Sequence, residues 1–517
     1  MKSFLGIDLG TGGVRAVLLA HDGTVAGSGF GDIPLAIPAP GFAQQSSADW
    51  LKACVIAVRQ AVASCKTKPA VAGIGISGQM LGSVLLDKKG AVLDDCIIWM
   101  DQRAGRERDQ IEQELGIGYI LDKTANYPLT SYWAPKLLWL KNNKPAVFEK
   151  IDKVLFPKDY LKYILTGVLD IDVTDATGSM LFNTAKRAWE QELFDKLSLP
   201  RSIVPGRASE SADIIGKLTV SAAETLGLQP GIPVVAGGGD QMCGAVGTGV
   251  VRPGVISSTI GTSGVVFSFS DACVVDRQPR AALSYCHSVP GKWCMYGCTL
   301  AAGGSLRWLR DTFFRDAATK DKSAYAAMDE LAASAQPGCE GLVFLPYLNG
   351  ERTPYPDPDA RGVFFGLSSR HGAGEICRAV MEGVVFSLRD TVEIIREYGS
   401  TVSEARASGG GAKSMLWLQM QADIFNAVIA ASNIAETPAV GAAMLAAVGT
   451  GHFAGVEQAA DTVVKPVLLV EPDAQNVKIY EEYYATYRSL YPALKNSFRQ
   501  QAETVKKTAP GREESHV

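Results

Sequence analysis

The stretch Val234–Gly244 reads VVAGGGDQMCG: an apolar run, three glycines, then a carboxylate, Asp240, followed by Gln241. A carboxylate beside apolar residues is costly unless a ligand or cation makes use of it, and glycines remove the side chains that would crowd it. A second acid, Asp8, stands just before the turn Gly10-Thr11-Gly12-Gly13, and a similar turn, Gly261-Thr262-Ser263-Gly264, recurs in the second half of the chain. Such turns present successive backbone N–H groups and a Thr hydroxyl to an anion. One copy reads most simply as an unliganded hairpin turn; two, one opening each half, point to a polyphosphate clamped between them. A third cluster, Ser408–Ser414 (SGGGAKS), lies between an expected strand and a helix from about Met415. Its helix N-terminus suits a phosphate or nucleotide edge, with a tight strand-to-helix connection as the alternative.

Phosphoryl transfer needs a base for the hydroxyl proton and charge stabilisation on the group that moves. Asp240 meets the first need. Asp8 could hold Mg²⁺ through water, since magnesium is usually held by few carboxylates plus phosphates; a turn-capping Asp is the alternative. None of the five histidines, at 21, 287, 371, 452 and 516, stands in a nucleophile-base arrangement, and the Walker and dinucleotide fingerprints are absent. The segments Ser77–Gly82 (SGQMLG) and Trp99–Arg103 (WMDQR) follow apolar strands and offer Gln79, Asp101 and Arg103 either to a polyol or to a structural salt bridge. Cys286, His287, Cys294 and Cys298 form the one dense thiol group, but their spacing fits no zinc pattern, and Cys is commonly buried as a small apolar residue.

The elements that must position these residues are those of an α/β protein. Phe4–Leu9, Val14–Ala20 and a third strand after the turn at His21–Thr24 make a β-meander that displays Asp8 and Thr11 at its first turn. A helix over Asp49–Lys66, strands over Val71–Ser77 and Val84–Leu86, a helical region from Trp99 to about Asn143, a helix over Val154–Leu165 and a buried strand over Gly231–Ala236 follow. Gly254–Phe267 then echoes the N-terminus as strand, Gly-Thr turn and strand, so the chain divides into 1–252 and 253–495 with a cleft between, and a polar tail over 496–517 is expected to fray. The small-residue helix around Ala439–Met444 suits close packing beneath that cleft.

A chain of 517 residues, 47% hydrophobic with a net charge of −4, suggests two or three domains and gives no electrostatic reason to invoke nucleic acid or an anionic membrane. Neither a signal peptide nor a membrane span is read at MKSFLGIDLGTGG, and the ten scattered cysteines argue for reduced thiols; a cytoplasmic protein with small-molecule partners is expected, and a homodimer by default.

The residues resemble the FGGY carbohydrate kinases of the actin-like (ribonuclease H-like) ATPase fold, and within them the xylulokinase group. The likeness rests on Asp8-Leu9-Gly10-Thr11, on Gly362–Leu367 followed by Glu375–Glu382, and on Leu345–Pro354 and Ala134–Trp139. It implies ATP-dependent phosphorylation of a sugar hydroxyl, D-xylulose to D-xylulose 5-phosphate, with Asp240 as the base and Asp8 and Asp240 at Mg²⁺. It places Thr11, Gly12, Gly13, Arg15, Gly261, Thr262, Gly303, Arg307, Gly410, Gly411 and Ser414 around ATP. It places Gln79, Met80, Leu81, Asp101, Asp240 and Gln241 around the sugar. Leu81 stands where the group typically has His, Gln241 where it often has Asn, and Met100 and Trp133 also depart from the pattern. A site built to hydrogen-bond a hydroxyl discriminates strongly, so Leu81 and Gln241 leave open another ketose or polyol such as ribulose, erythrulose or glycerol. A nucleotide or sugar sensor without catalysis and an ATPase coupled to a protein partner are the remaining alternatives.

Overall fold

The computed structural model describes residues 2–315, 323–432 and 434–508. The opening meander forms as the sequence implies: Lys2–Gly10, Gly13–Ala20 and Val25–Asp32 pair antiparallel in order. Ala70–Gly78 joins parallel to the first strand, and Pro233–Val235 parallel to Ala70–Gly78. The second half repeats this plan. Trp293–Thr299, Gly264–Ser270 and Gly254–Ile260 are antiparallel neighbours, and Val402–Gly409 and Val428–Ser432 extend the sheet in parallel. Both sheets therefore carry three antiparallel strands followed by two parallel ones, the duplication that the paired Gly-Thr turns foreshadow.

Two apolar cores lie on these sheets, one largely on each side of the expected boundary at residue 252. The helix Thr437–Gly449 leaves the second half and buries itself in the first core. Glycine makes this possible. A Cβ on Gly6 would lie 1.8 Å from the Ala439 carbonyl oxygen, and one on Gly75 2.0 Å from that of Ala442. The helix backbone thus rests directly on the first sheet, and a single cut in the chain cannot separate the halves.

Two further expectations change. Lys153–Leu155 is a strand paired with Val84–Leu86, and the helix begins only at Pro157, whose fixed φ and missing N–H suit a first helical position. The polar tail is helical through Thr508: Ala474–Thr508 is one helix that buries Tyr480, Tyr484, Tyr487, Tyr491 and Phe498 on the second core. That apolar stripe continues past Asn496 and holds the helix; residues 509–517 of the expected tail lie outside the described residues. No helix among the described residues is long and apolar enough to cross a membrane.

Candidate active site

Asp240 is the first residue of the helix Asp240–Thr248, directly after the short strand Gly238–Gly239. The preceding glycines serve packing more than ligand space. Gly237 has φ +74°, and a Cβ there would lie 1.9 Å from the Ile76 carbonyl oxygen; Gly238 would meet the Ser288 hydroxyl and Gly239 the Met80 side chain. Gly237→Ala is therefore expected to lower stability by more than about 2 kcal/mol in chemical unfolding, because both the φ and the space are wrong for a side chain. A variant with an unchanged midpoint would contradict this packing.

Low-dielectric surroundings push the Asp240 carboxyl up to about 7, and the charge of neighbouring Asp8 adds to the rise, against hydrogen bonding from Gln241. Gln241 Nε2 lies 3.5 Å from Asp240 Oδ1. Asp240 is partly exposed, whereas Asp8 is buried, with Ser77 and Arg15 as its strand partners. Burial raises Asp8 to about 6, and its Oδ1 has no hydrogen-bond partner. Two neighbouring carboxylates, both penalised for ionising and one with an orphaned oxygen, have the chemistry of a divalent-cation site.

The segment bearing Asp240 is held from behind by a fully buried charge network. Lys158 Nζ lies 2.5, 2.7 and 3.2 Å from carboxylate oxygens of Asp159, Asp172 and Asp175. Lys162 Nζ reaches Asp170 at 2.6 Å and Asp159 at 3.0 Å, and donates to the Ala236 carbonyl at 3.0 Å. Asp172 accepts from the Thr174 N–H, and the Thr174 hydroxyl accepts from Gly239 N–H at 2.9 Å. Both ends of the glycine run before Asp240 are thus anchored to these charges. Among the described residues Asp159, Asp172 and Asp175 are the one group of three or more such side chains close enough to share a metal ion, but the Lys158 ammonium already lies among them.

Across the cleft, a cavity of about 490 Å³ gathers Gly261, Thr262, Gly303, Arg307, Gly410, Gly411 and Ser414, all seven residues expected at the nucleotide from the second half. The two turns interlock: Gly303 N–H donates to the Gly261 carbonyl at 2.8 Å and Gly304 N–H to that of Thr262 at 3.0 Å. Ser414 caps the helix Met415–Phe425, its Oγ accepting from Trp417 N–H at 3.2 Å. Tyr325, Asp329, Lys413 and Trp417 also line the cavity, which sequence reasoning missed. Asp329 sits on an alanine-rich helix, Ala324–Ser334, with no motif to mark it.

The first-half residues expected at ATP and sugar are arranged differently. Gly12 is open, but a Cβ on Gly13 would collide with the Phe30 ring, so that glycine answers to strand packing. Arg15 pairs with Glu436 at 2.6 Å. The Thr11 hydroxyl donates to Gln79 Oε1 at 3.3 Å and accepts from Trp99 Nε1 at 2.9 Å. Gln79 is buried, its Nε2 donating to Gln45 Oε1 at 2.6 Å and its Oε1 accepting from Thr11, so it orients the Thr11 hydroxyl. Asp101 is likewise turned inward. Its carboxylate accepts from Arg103 at 2.7 Å and from Ala43 N–H at 2.6 Å, the structural ion pair that was the alternative reading. Met80 packs against Gly239, and Leu81, at φ +70°, lays its side chain against Gly178. Trp99, 42% exposed above Thr11, is the aromatic surface of this rim that the sequence did not single out, as is Gln45.

Lys136, fully buried and lowered to about 8 by that burial, donates to the carbonyls of Leu81, Ile97 and Ile98 and so ties the Leu81 turn to the strand before Trp99. Trp133 is core, stacked on Phe156 at 3.8 Å, with Nε1 donating to Gly82. His287 has both ring nitrogens occupied, Nε2 donating to Val250 and Nδ1 accepting from Val289, which leaves no ligand atom for a metal. All ten cysteines are free thiols.

Residues 3–247 match the model of the FGGY family of carbohydrate kinases, N-terminal domain, and residues 256–450 match its C-terminal domain. The chain belongs to the FGGY carbohydrate kinases. It is 37% identical to the xylulose kinase of Staphylococcus epidermidis over 95% of this chain and 97% of that one. It is 35% identical to the xylulose kinase of Escherichia coli, covering 95% and 99%. Among solved structures, the xylulose kinase of Rhodospirillum rubrum superposes with a TM-score of 0.90 at 30% identity, covering 96% of this chain and all of the other. The two repeated halves are those of the actin-like ATPase fold, and sugar kinases of this family use ATP as the phosphate donor.

Proposed function

We propose that this kinase transfers the γ-phosphoryl group of ATP to a hydroxyl of D-xylulose, giving D-xylulose 5-phosphate, with Asp240 as general base. The observation that carries the reading is Asp240 itself: a partly exposed carboxylate, raised to about 7, at a helix start beside Asp8. The proton of the sugar hydroxyl passes to Asp240 as the hydroxyl oxygen bonds to the γ-phosphorus and the bond to ADP breaks. A pKa near working pH gives a base that is ionised enough to act and basic enough to accept. Asp8 and Asp240 would hold Mg²⁺, which supplies charge neutralisation on the phosphates. Closure of the two halves would exclude water, so that the sugar and not water is phosphorylated.

The xylulose kinases that match nearly the whole chain support the choice of sugar. A different ketose or polyol is the second reading, favoured by the apolar Leu81 side chain against Gly178. The pH dependence tests the base. A carboxylate at about 7 in the free enzyme must be ionised to act, so kcat/KM is expected to fall tenfold per unit below about pH 7, and more steeply below about 6 where Asp8 also takes a proton. A kcat/KM that is flat from pH 8 to 5.5 would exclude Asp240 as the base.

A further inference from the structure

A cavity of about 820 Å³ lies between the helices Ala373–Glu397 and Ala474–Thr508. One wall carries acids, Asp390, Glu393 and Glu397; the other carries bases, Arg488, Lys495 and Arg499. Had the two rows closed on each other there would be no cavity. Instead the acids find partners elsewhere: Glu393 accepts from Arg389 and Arg396, and Glu397 pairs with Arg280. Among the described residues Arg488, Lys495 and Arg499 form no ion pair, and all three are exposed at the mouth.

The floor is different. Asp390 is only 4% exposed; its Oδ1 accepts from the Tyr484 hydroxyl at 2.7 Å, while its Oδ2 is buried without a partner. A buried carboxylate oxygen left unsatisfied costs free energy that a donor from a ligand would recover. Beside it Tyr355 and Tyr491 stack at 3.9 Å, and Tyr491 is fixed by its hydroxyl bond to Asp357 at 2.7 Å. The cavity therefore offers three cations without ion-pair partners at a mouth that also carries Asp357, Asp359, Glu393 and Glu397, together with a rigid aromatic wall and a buried hydrogen-bond acceptor.

We propose that this cavity is a second small-molecule site, for a phosphorylated sugar or polyol bound with its phosphate at Arg488, Lys495 and Arg499 and a hydroxyl donating to Asp390 Oδ2. Basic side chains at a solvent-wet mouth suit a dianion, which keeps part of its hydration there. Hydroxyls match a lone acceptor oxygen, and the C–H face of a sugar covers a tyrosine ring. The loop that supplies Tyr355 and Asp357 continues from Glu351, whose carboxylate accepts from the Thr299 hydroxyl at 2.6 Å and from Leu300 N–H at 3.1 Å. One short segment thus borders both this cavity and the strand leading to Gly303.

The test is calorimetric titration of the full chain, saturated with Mg²⁺ and a non-hydrolysable ATP analogue, using D-ribose 5-phosphate as the probe. A binding event is expected that D-xylulose does not displace. Arg488→Ser should weaken it at least tenfold while leaving the kinase kcat and KM unchanged, and Asp390→Ala should weaken D-ribose 5-phosphate more than inorganic phosphate. Arg488 is at the exposed mouth, so its variant remains informative if Asp390→Ala fails to fold. Absence of binding, binding that Arg488→Ser leaves intact, displacement by D-xylulose, or inorganic phosphate binding as tightly as the sugar phosphate would each overturn the proposal.

Discussion

Asp240→Asn is expected to lower kcat by about 10³-fold, within the range that removal of a general base costs, and at the same time to raise the stability of the fold. The two effects share one origin. The Asp240 carboxyl is raised to about 7 because its surroundings disfavour the charge. A carboxyl raised above its unfolded value contributes stability only while it is protonated, and that contribution disappears as pH rises from about 4 to about 7. At pH 8 the native chain therefore carries an ionised group that its surroundings resist. With each unit worth about 1.4 kcal/mol, the neutral carboxamide should stabilise the fold by on the order of 2–4 kcal/mol at that pH, and by little at pH 4. Steady-state kinetics and urea unfolding at the two pH values check both parts. Parental kcat in a folded Asn variant would remove Asp240 from the base role, and equal unfolding midpoints at pH 8 would contradict its raised carboxyl.

The second large effect is structural. Replacing Lys158 by Met is expected to destabilise the chain by about 3–5 kcal/mol, because Asp159, Asp172 and Asp175 would be left as buried acids without their shared cation. Burial raises Asp175 well above the usual carboxylate range even with Lys158 present, so the site has no spare capacity for losing the ammonium. The damage should reach the chemistry as well. Asp172 fixes Thr174, whose hydroxyl holds Gly239 N–H one residue before Asp240. Urea unfolding at pH 7 measures the stability loss, and the kcat of the folded fraction measures the positional one. A midpoint within about 0.5 kcal/mol of the parent would show that the network is dispensable.

What the sequence made legible follows from what each residue's role requires. The glycine clusters of the second half could be read because a backbone that approaches another backbone closely leaves glycine as the only choice, and Gly303 and Gly409 pack against the backbone of Gly261 and Ile260 in this way. The duplicated Gly-Thr turns marked two equivalent sheets because the same strand–turn–strand pattern recurs in each half. The sugar side could not be read as well. Gln79 and Asp101 are polar residues at the ends of apolar strands, but their partners, Gln45 and Arg103 with the Ala43 N–H, are set by tertiary packing that spacing does not reveal. The glycines before Asp240 suggested open space and proved to be contacts with Ile76, Ser288 and Met80. The last helix was underestimated because the segment after Asn496 is polar on average, while Phe498 alone continues the buried stripe.

The central claim is that a sugar hydroxyl is the acceptor for the γ-phosphoryl group and that D-xylulose is the preferred sugar. ATP consumption measured at saturating Mg-ATP with D-xylulose, D-ribulose, L-ribulose, erythrulose and glycerol, ranked by kcat/KM, tests it directly. Turnover is expected to depend on the sugar and to be highest for D-xylulose. A higher kcat/KM for another of these acceptors would contradict the assignment of the sugar, and ATP consumption that none of them stimulates would contradict the kinase account itself.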